Sequence, residues 1–164
     1  YAEISRAMGV SLDFPGSETS YKALIEGVAA THLAGAIVWL ATTESCSNEA
    51  FNVTNGDYFR WENIWPQIAA YFGLPAGSPR SLSLAKAMSD KGAVWDDIVR
   101  RYKLVKTDVS DLALWSFGDF LFGSDWDLCS DTTKLRQTGF VDIVDTESMI
   151  FSLFDQYRSE KIIA

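Results

Sequence analysis

Histidine is nearly absent from this chain. His32 is the only one in 164 residues, and the two cysteines, Cys46 and Cys129, stand 83 positions apart with no Cys-x-x-Cys. A zinc centre or a redox pair needs such ligands clustered, so no metal site is assigned and the cysteines read as free thiols of a reducing cytoplasm. Long apolar runs are missing as well. The longest, Leu33 to Ala41, is far too short to span a bilayer. No signal peptide is visible, and the expected location is cytoplasmic. No basic run offsets a net charge of −8, which argues against the positive field that nucleic acid or an anionic membrane requires. There is no GxGxxG, no Walker loop and no Gly-x-Ser-x-Gly, so no catalytic and no cofactor-binding residue is assigned.

What the chain does have is apolar and aromatic bulk. Apolar residues make up 48%, and six Trp, six Tyr and ten Phe exceed what a core of this size needs. The length fits one domain, residues 1–164, with a real core. The surplus rings either line a pocket or belong against a missing partner. The chain starts at Tyr1 rather than Met, and is read as a trimmed, processed or cloned piece of a longer protein.

Periodicity makes the fold class α+β and mostly helical. YAEISRAM reads as the tail of a helix closed by Gly9, and VSLDFPG as a short extended piece stopped by Pro15-Gly16. Leu33, Ile37 and Leu40 recur at helical spacing between Ala29 and Ala41. Phe51-Asn52-Val53-Thr54 alternates and ends at Asn55-Gly56, which predicts a strand near 50–55 running into a turn. Trp61, Ile64, Trp65, Ile68, Ala69 and Phe72 then make one apolar stripe, with Pro66 expected to delay or kink the helix. Further helices are expected around 84–88, 93–102, 110–122 and 146–157. A lone strand cannot satisfy its own ladder, so 51–55 should pair with something, and the candidates within the chain are poor.

Few constellations suggest chemistry. Tyr157 and Lys161 have the Tyr-x-x-x-Lys spacing by which a Lys can lower the pKa of a proton-donating Tyr on one helix face. They sit at the end of the chain, where Tyr157 completes an apolar stripe, and packing is the stronger reading. His32 on an Ala-rich helix reads as a packed or surface residue rather than as a base. Asp125-Trp126-Asp127 lacks the Gly and closing Glu of a calcium loop. Asn52-Val53-Thr54 has the form of a glycosylation sequon inside an apolar stretch. LWSFGDFLF, residues 114 to 122, is the one candidate from composition: Trp115, Phe117, Phe120 and Phe122 cannot share one helix stripe. Core packing and an apolar ligand site explain it equally well.

EAFNVTNGDYFRWENIWPQIAAYFG (49 to 73) resembles the matching segment of the progesterone 5β-reductase and iridoid synthase-like family, within the extended short-chain dehydrogenases. LDFPG, GAVWDDIVRRYKL, LWSFGDFLF, DTTKLRQTGF and the ending FDQYRSEKIIA agree in the same order. The resemblance runs nearly end to end and covers the C-terminal, substrate-binding half of that family. It implies a parent protein whose missing N-terminal Rossmann half holds NADPH on a Gly-rich loop, while a Tyr and a Lys there polarise an enone carbonyl during hydride delivery to the β-carbon. Those residues lie upstream of Tyr1, so this chain alone is expected neither to bind NADPH nor to turn over an enone.

By the same resemblance, the helix carrying LWSFGDFLF lines an apolar substrate pocket. Phe117 and Phe120 are then wall residues with Trp115 nearby, allowing one inserted residue at Ser116. FNVTN would join the edge of the missing Rossmann sheet, and the isolated chain could self-associate through it. The implied partners are a small apolar carbonyl substrate and the missing half, with no nucleic acid and no membrane. Two alternatives stay open: part of an NAD-dependent sugar-nucleotide epimerase or dehydratase, or a non-enzymatic helical interaction module.

Overall fold

Helical periodicity dominates the computed structural model, which describes residues 1–164. In chain order the elements are α1 (Ala2–Met8), β1 (Leu12–Phe14), α2 (Glu18–Lys22), β2 (Leu24–Ile25), α3 (Ala30–Thr42), a 3₁₀ turn (Glu44–Cys46) and β3 (Phe59–Arg60). There follow α4 (Trp61–Tyr71), β4 (Ala76–Pro79), α5 (Leu84–Met88), α6 (Gly92–Tyr102), α7 (Val109–Leu112), α8 (Trp115–Phe122), α9 (Thr133–Gln137) and α10 (Thr146–Ser159). The strands form two ladders of two, β1 with β4 and β2 with β3. No helix is long and apolar enough to cross a membrane. The length suits one domain, but the chain packs as two compact units: Tyr1–Ala23, Arg60–Trp126 and Phe151–Ala164 in the first, Leu24–Phe59 and Asp127–Ile150 in the second.

The first unit is built on aromatics. β1 pairs with β4 in parallel, Leu12 opposite Ala76 and Phe14 opposite Pro79, and both Leu12 and Phe14 are fully buried. Phe14 is the centre of a ring cluster, with centroids 5.0 Å from Tyr21, 5.1 Å from Trp65, 5.4 Å from Phe122 and 6.1 Å from Trp61. The Trp65 indole N–H donates to the Leu12 carbonyl at 2.9 Å, so burying that ring leaves no polar atom unmet. α4 supplies both Trp side chains from one face, with Ile64, Ile68 and Ala69. Pro66 does not delay this helix, which starts at Trp61 and continues through it to Tyr71. The proline lies on the exposed side, where water can satisfy the carbonyl its missing N–H leaves free. A second cluster joins Ile4, Met88, Trp95 and Ile98, with Trp115 packed against it. Gly9 closes α1 at φ 68, as its position predicted.

In the second unit Ala36, Leu135 and Phe140 form a small core, covered by Leu40, Phe51 and Val53. Residues 51–55 do not form the expected strand. Phe51 and Val53 pack on that core, while among these residues the main-chain pairing falls at Asn55. Its N–H donates to the Gly27 carbonyl (2.8 Å), and its carbonyl accepts from Val144 N–H (2.9 Å). The Asn55 side chain, wholly buried, accepts from Ala29 N–H at 2.7 Å and donates to Thr146 Oγ1 at 2.9 Å. The Thr146 hydroxyl in turn donates to Asp57 at 2.5 Å, and Thr146 N–H donates to the same carboxylate at 2.8 Å. Gly56 between them has φ 94, and a Cβ there would come within 2.8 Å of Arg136 and Ile143, so the turn needs glycine twice over.

Asn55→Ala therefore leaves a buried N–H without an acceptor and opens a small cavity. The expected loss is about 2–3 kcal/mol of unfolding free energy by urea titration. A loss within about 0.5 kcal/mol, the range of ordinary surface changes, would contradict this role.

Candidate functional site

The stretch from 110 to 122 was expected to be one helix, but it is broken at Ala113 and Leu114, where Ala113 is extended at φ −155, ψ 148. The break lets the Trp115 indole fold back and donate to the Val109 carbonyl at 2.9 Å while its ring packs against the Ile4–Met88–Trp95–Ile98 cluster. From Trp115 on, α8 has two faces at helical spacing. Trp115, Gly118, Asp119 and Phe122 turn inward; Leu114, just before the helix, Phe117 and Phe120 turn outward. The structure therefore divides the aromatic run between packing and surface. Phe122 belongs to the Phe14 ring cluster. Phe117 and Phe120 are 55% and 65% exposed, with their ring centroids 6.2 Å apart.

The inward face is held by a carboxylate. Asp119 accepts from the Ser83 hydroxyl at 2.8 Å, from Leu84 N–H, and from Ala85 N–H at 3.3 Å. Ser83 Oγ also accepts from Lys86 N–H at 3.2 Å. The first three N–H groups of α5 have no partners within their own helix, and these two side chains supply all of them. Gly118 makes the approach possible, since a Cβ there would lie 2.9 Å from Leu84 Cδ1. Sequence reasoning placed Asp119 on the helix but missed its role, because a cap 35 positions away leaves no local spacing to read.

The other sequence candidates do not gather into one site. α10 ends at Ser159, and Lys161 lies beyond it in the left-handed region at φ 58, so Tyr157 and Lys161 do not share a helix face. Burial first of all pushes up the phenols of Tyr1, Tyr21 and Tyr71, the reverse of a tyrosine poised for proton transfer near neutrality. His32 is buried, its ring 5.3 Å from that of Phe140. Asp125 accepts from the Ser17 hydroxyl, and Asp127 accepts from Leu24 N–H at 2.8 Å. Asn52 donates to the Asp131 carbonyl at 3.1 Å.

A cleft of about 520 Å³ lies beside α1 and α5. Ile4, Met8 and Leu82 give it apolar lining, but Asp13 and Asp90 set against Arg80 and Lys86 make its charge mixed. That mixture suits an apolar ligand less well than the α8 surface does. Nor do these residues fit a dinucleotide, whose pyrophosphate needs a free helix start after a strand. At β1–α2 the space over Gly16 is filled by the Phe122 carbonyl, 2.1 Å from where a Cβ would stand, and Ser17 already caps α2. At β4–α5 the N–H groups are occupied by Asp119 and Ser83.

The family model described as "PRISE-like Rossmann-fold domain" matches residues 1–164. Among curated proteins, the chain is 34% identical over 166 residues to an (S)-8-oxocitronellyl enol synthase of Antirrhinum majus, covering 99% of this chain and 43% of that protein. It is 32% identical over 178 residues to the short chain dehydrogenase gsfE of Penicillium aethiopicum, covering 99% and 47%. To a 3-oxo-Δ(4,5)-steroid 5-β-reductase of Arabidopsis thaliana it is 28% identical, covering 99% and 42%. The chain thus spans less than half the length of these relatives.

The two faces of α8 should separate on mutation. Phe122→Ala is expected to cost about 3 kcal/mol of stability, because it removes a ring from a packed cluster. Phe120→Ala should stay within about 0.5 kcal/mol. Thermal melts of both variants check this, and equal losses would contradict the assignment of faces.

Proposed function

The chain belongs to the PRISE-like Rossmann-fold family, and from that premise we propose that it supplies the substrate-binding part of an NADPH-dependent reductase acting on the C=C bond of an enone or a similar small apolar carbonyl compound. The observation that carries the reading is the exposed Phe117–Phe120 pair on a helix whose opposite face is anchored. Two neighbouring rings held in water gain by covering an apolar ligand, and each Phe offers roughly 1.5–3 kcal/mol on full burial. In this reading Phe117 and Phe120 form the wall, and Trp115 supports it from behind. Their task is to bind and orient the apolar body of the substrate and to exclude water from it.

The nucleotide site and the groups that polarise the carbonyl then belong to the part of the parent protein corresponding to the rest of the relatives' length. A sugar nucleotide is disfavoured as substrate by the exposed aromatic pair and the net charge of −8.

The test is NADPH consumption by the full-length gene product with a 3-oxo-Δ4-steroid or cyclohexenone, against sugar nucleotides as controls. Saturable turnover of an enone is expected. Phe117→Ala should lower kcat/KM about ten-fold or more while the melting temperature and NADPH affinity hold. Turnover of the sugar nucleotide alone would overturn the reading. So would a large melting shift in Phe117→Ala with unchanged kinetics.

A further inference from the structure

Asp119 lies between the two exposed phenylalanines in sequence and faces the opposite way. We propose that it is a positioning residue for substrate: its carboxylate pins α8 to the start of α5 and so fixes the orientation in which Phe117 and Phe120 are presented. This rests on the reading of those two rings as the substrate wall.

Three observations carry it. First, α8 has only eight residues, and no charged side chain within it other than Asp119. A helix so short has little intrinsic stability, so its position is set by what it is tied to. Second, the tie is specific. One carboxylate takes the Ser83 hydroxyl and the Leu84 and Ala85 N–H groups, all at the beginning of α5, where a negative charge is favoured by the helix dipole. Third, the two helices approach closely beside it: a Cβ on Gly118 would lie 2.9 Å from Leu84 Cδ1, so the carboxylate's tie is backed by packing at the same place. Rotation about the α8 axis is the motion that would swing Phe117 and Phe120 away from a ligand. The carboxylate therefore holds the degree of freedom on which the wall depends.

Asn at this position keeps the shape and one acceptor oxygen. Its second atom is a donor, and it would face groups that themselves donate. Asp119→Asn in the full-length reductase is therefore expected to raise KM for an enone about ten-fold, with kcat and NADPH affinity changed less than about two-fold. Ser83→Ala removes only one of the three donors and should move KM in the same direction by a smaller factor. It keeps the proposal testable if Asp119→Asn folds poorly. The decisive comparison is with Phe117→Ala. If Asp119 acts through the ring, adding Asp119→Asn to Phe117→Ala should raise KM by much less than it does alone.

If Phe117→Ala raises KM but neither Asp119→Asn nor Ser83→Ala does, the wall stands and the positioning role fails. If the Asp119→Asn effect on KM is fully additive with Phe117→Ala, the carboxylate does not act through that ring and the proposal is overturned. If neither Phe117→Ala nor Phe120→Ala changes KM, the wall reading itself falls, and the role of Asp119 falls with it.

Discussion

Buried main-chain groups must find partners, and at Asn55 one side chain meets that demand for segments far apart in sequence. Its amide bonds the start of α3 through Ala29 and the start of α10 through Thr146, while its own peptide binds Gly27 and Val144. Asp57, two residues on, completes the arrangement by accepting both the N–H and the hydroxyl of Thr146. Thr146 thus accepts from Asn55 and donates to Asp57 through a single oxygen. Only a residue with an acceptor and a donor on one short side chain can do this, and glycine must follow it. Thr-Asn-Gly-Asp is therefore better described as a junction than as a strand end with a turn.

The aromatic surplus is resolved by a division of labour. In the first unit Phe14, Tyr21, Trp61, Trp65 and Phe122 share one ring cluster, with edge-on contacts that suit aromatic quadrupoles. Trp95 and Trp115 fill a second cluster and place their indole N–H groups on the carbonyls of Thr107 and Val109. Phe117 and Phe120 have no such place. Exposed large apolar groups that sit together on an anchored element mark a surface waiting for a ligand or a partner.

Much of the helical structure was legible in advance because a 3.6-residue stripe is a local signal. The α4 stripe of Trp61, Ile64, Trp65, Ile68 and Ala69 shows this best, and Leu84–Met88 formed where it was expected. β4 was invisible, since Ala-Gly-Ser-Pro has no strand propensity and is extended only by pairing with β1. α2 and α9 escaped because ETSYK and TKLRQ are almost wholly polar and carry no apolar stripe, whereas Leu84 and Met88 stand four apart. Residues 51–55 misled for the opposite reason: alternation reports which side chains are buried, and does not say whether a neighbouring strand is present. Composition and family resemblance single out Phe117, Phe120 and Trp115, and the structure turns the first two outward and the third inward. Helical spacing also puts Trp115, Asp119 and Phe122 on overlapping faces, but neither the close approach at Gly118 nor the cap that Asp119 forms on α5 leaves a local pattern to read.

The central claim is that the outward face of α8 meets an apolar carbonyl substrate. Photo-crosslinking the full-length protein with a diazirine-bearing enone, followed by peptide mapping, tests it directly. The account predicts labelling concentrated on residues 114–120 and suppressed by excess unlabelled enone. Competable labelling at the cleft beside α1 and α5, on Met8 or Leu82, with none on α8, would contradict it.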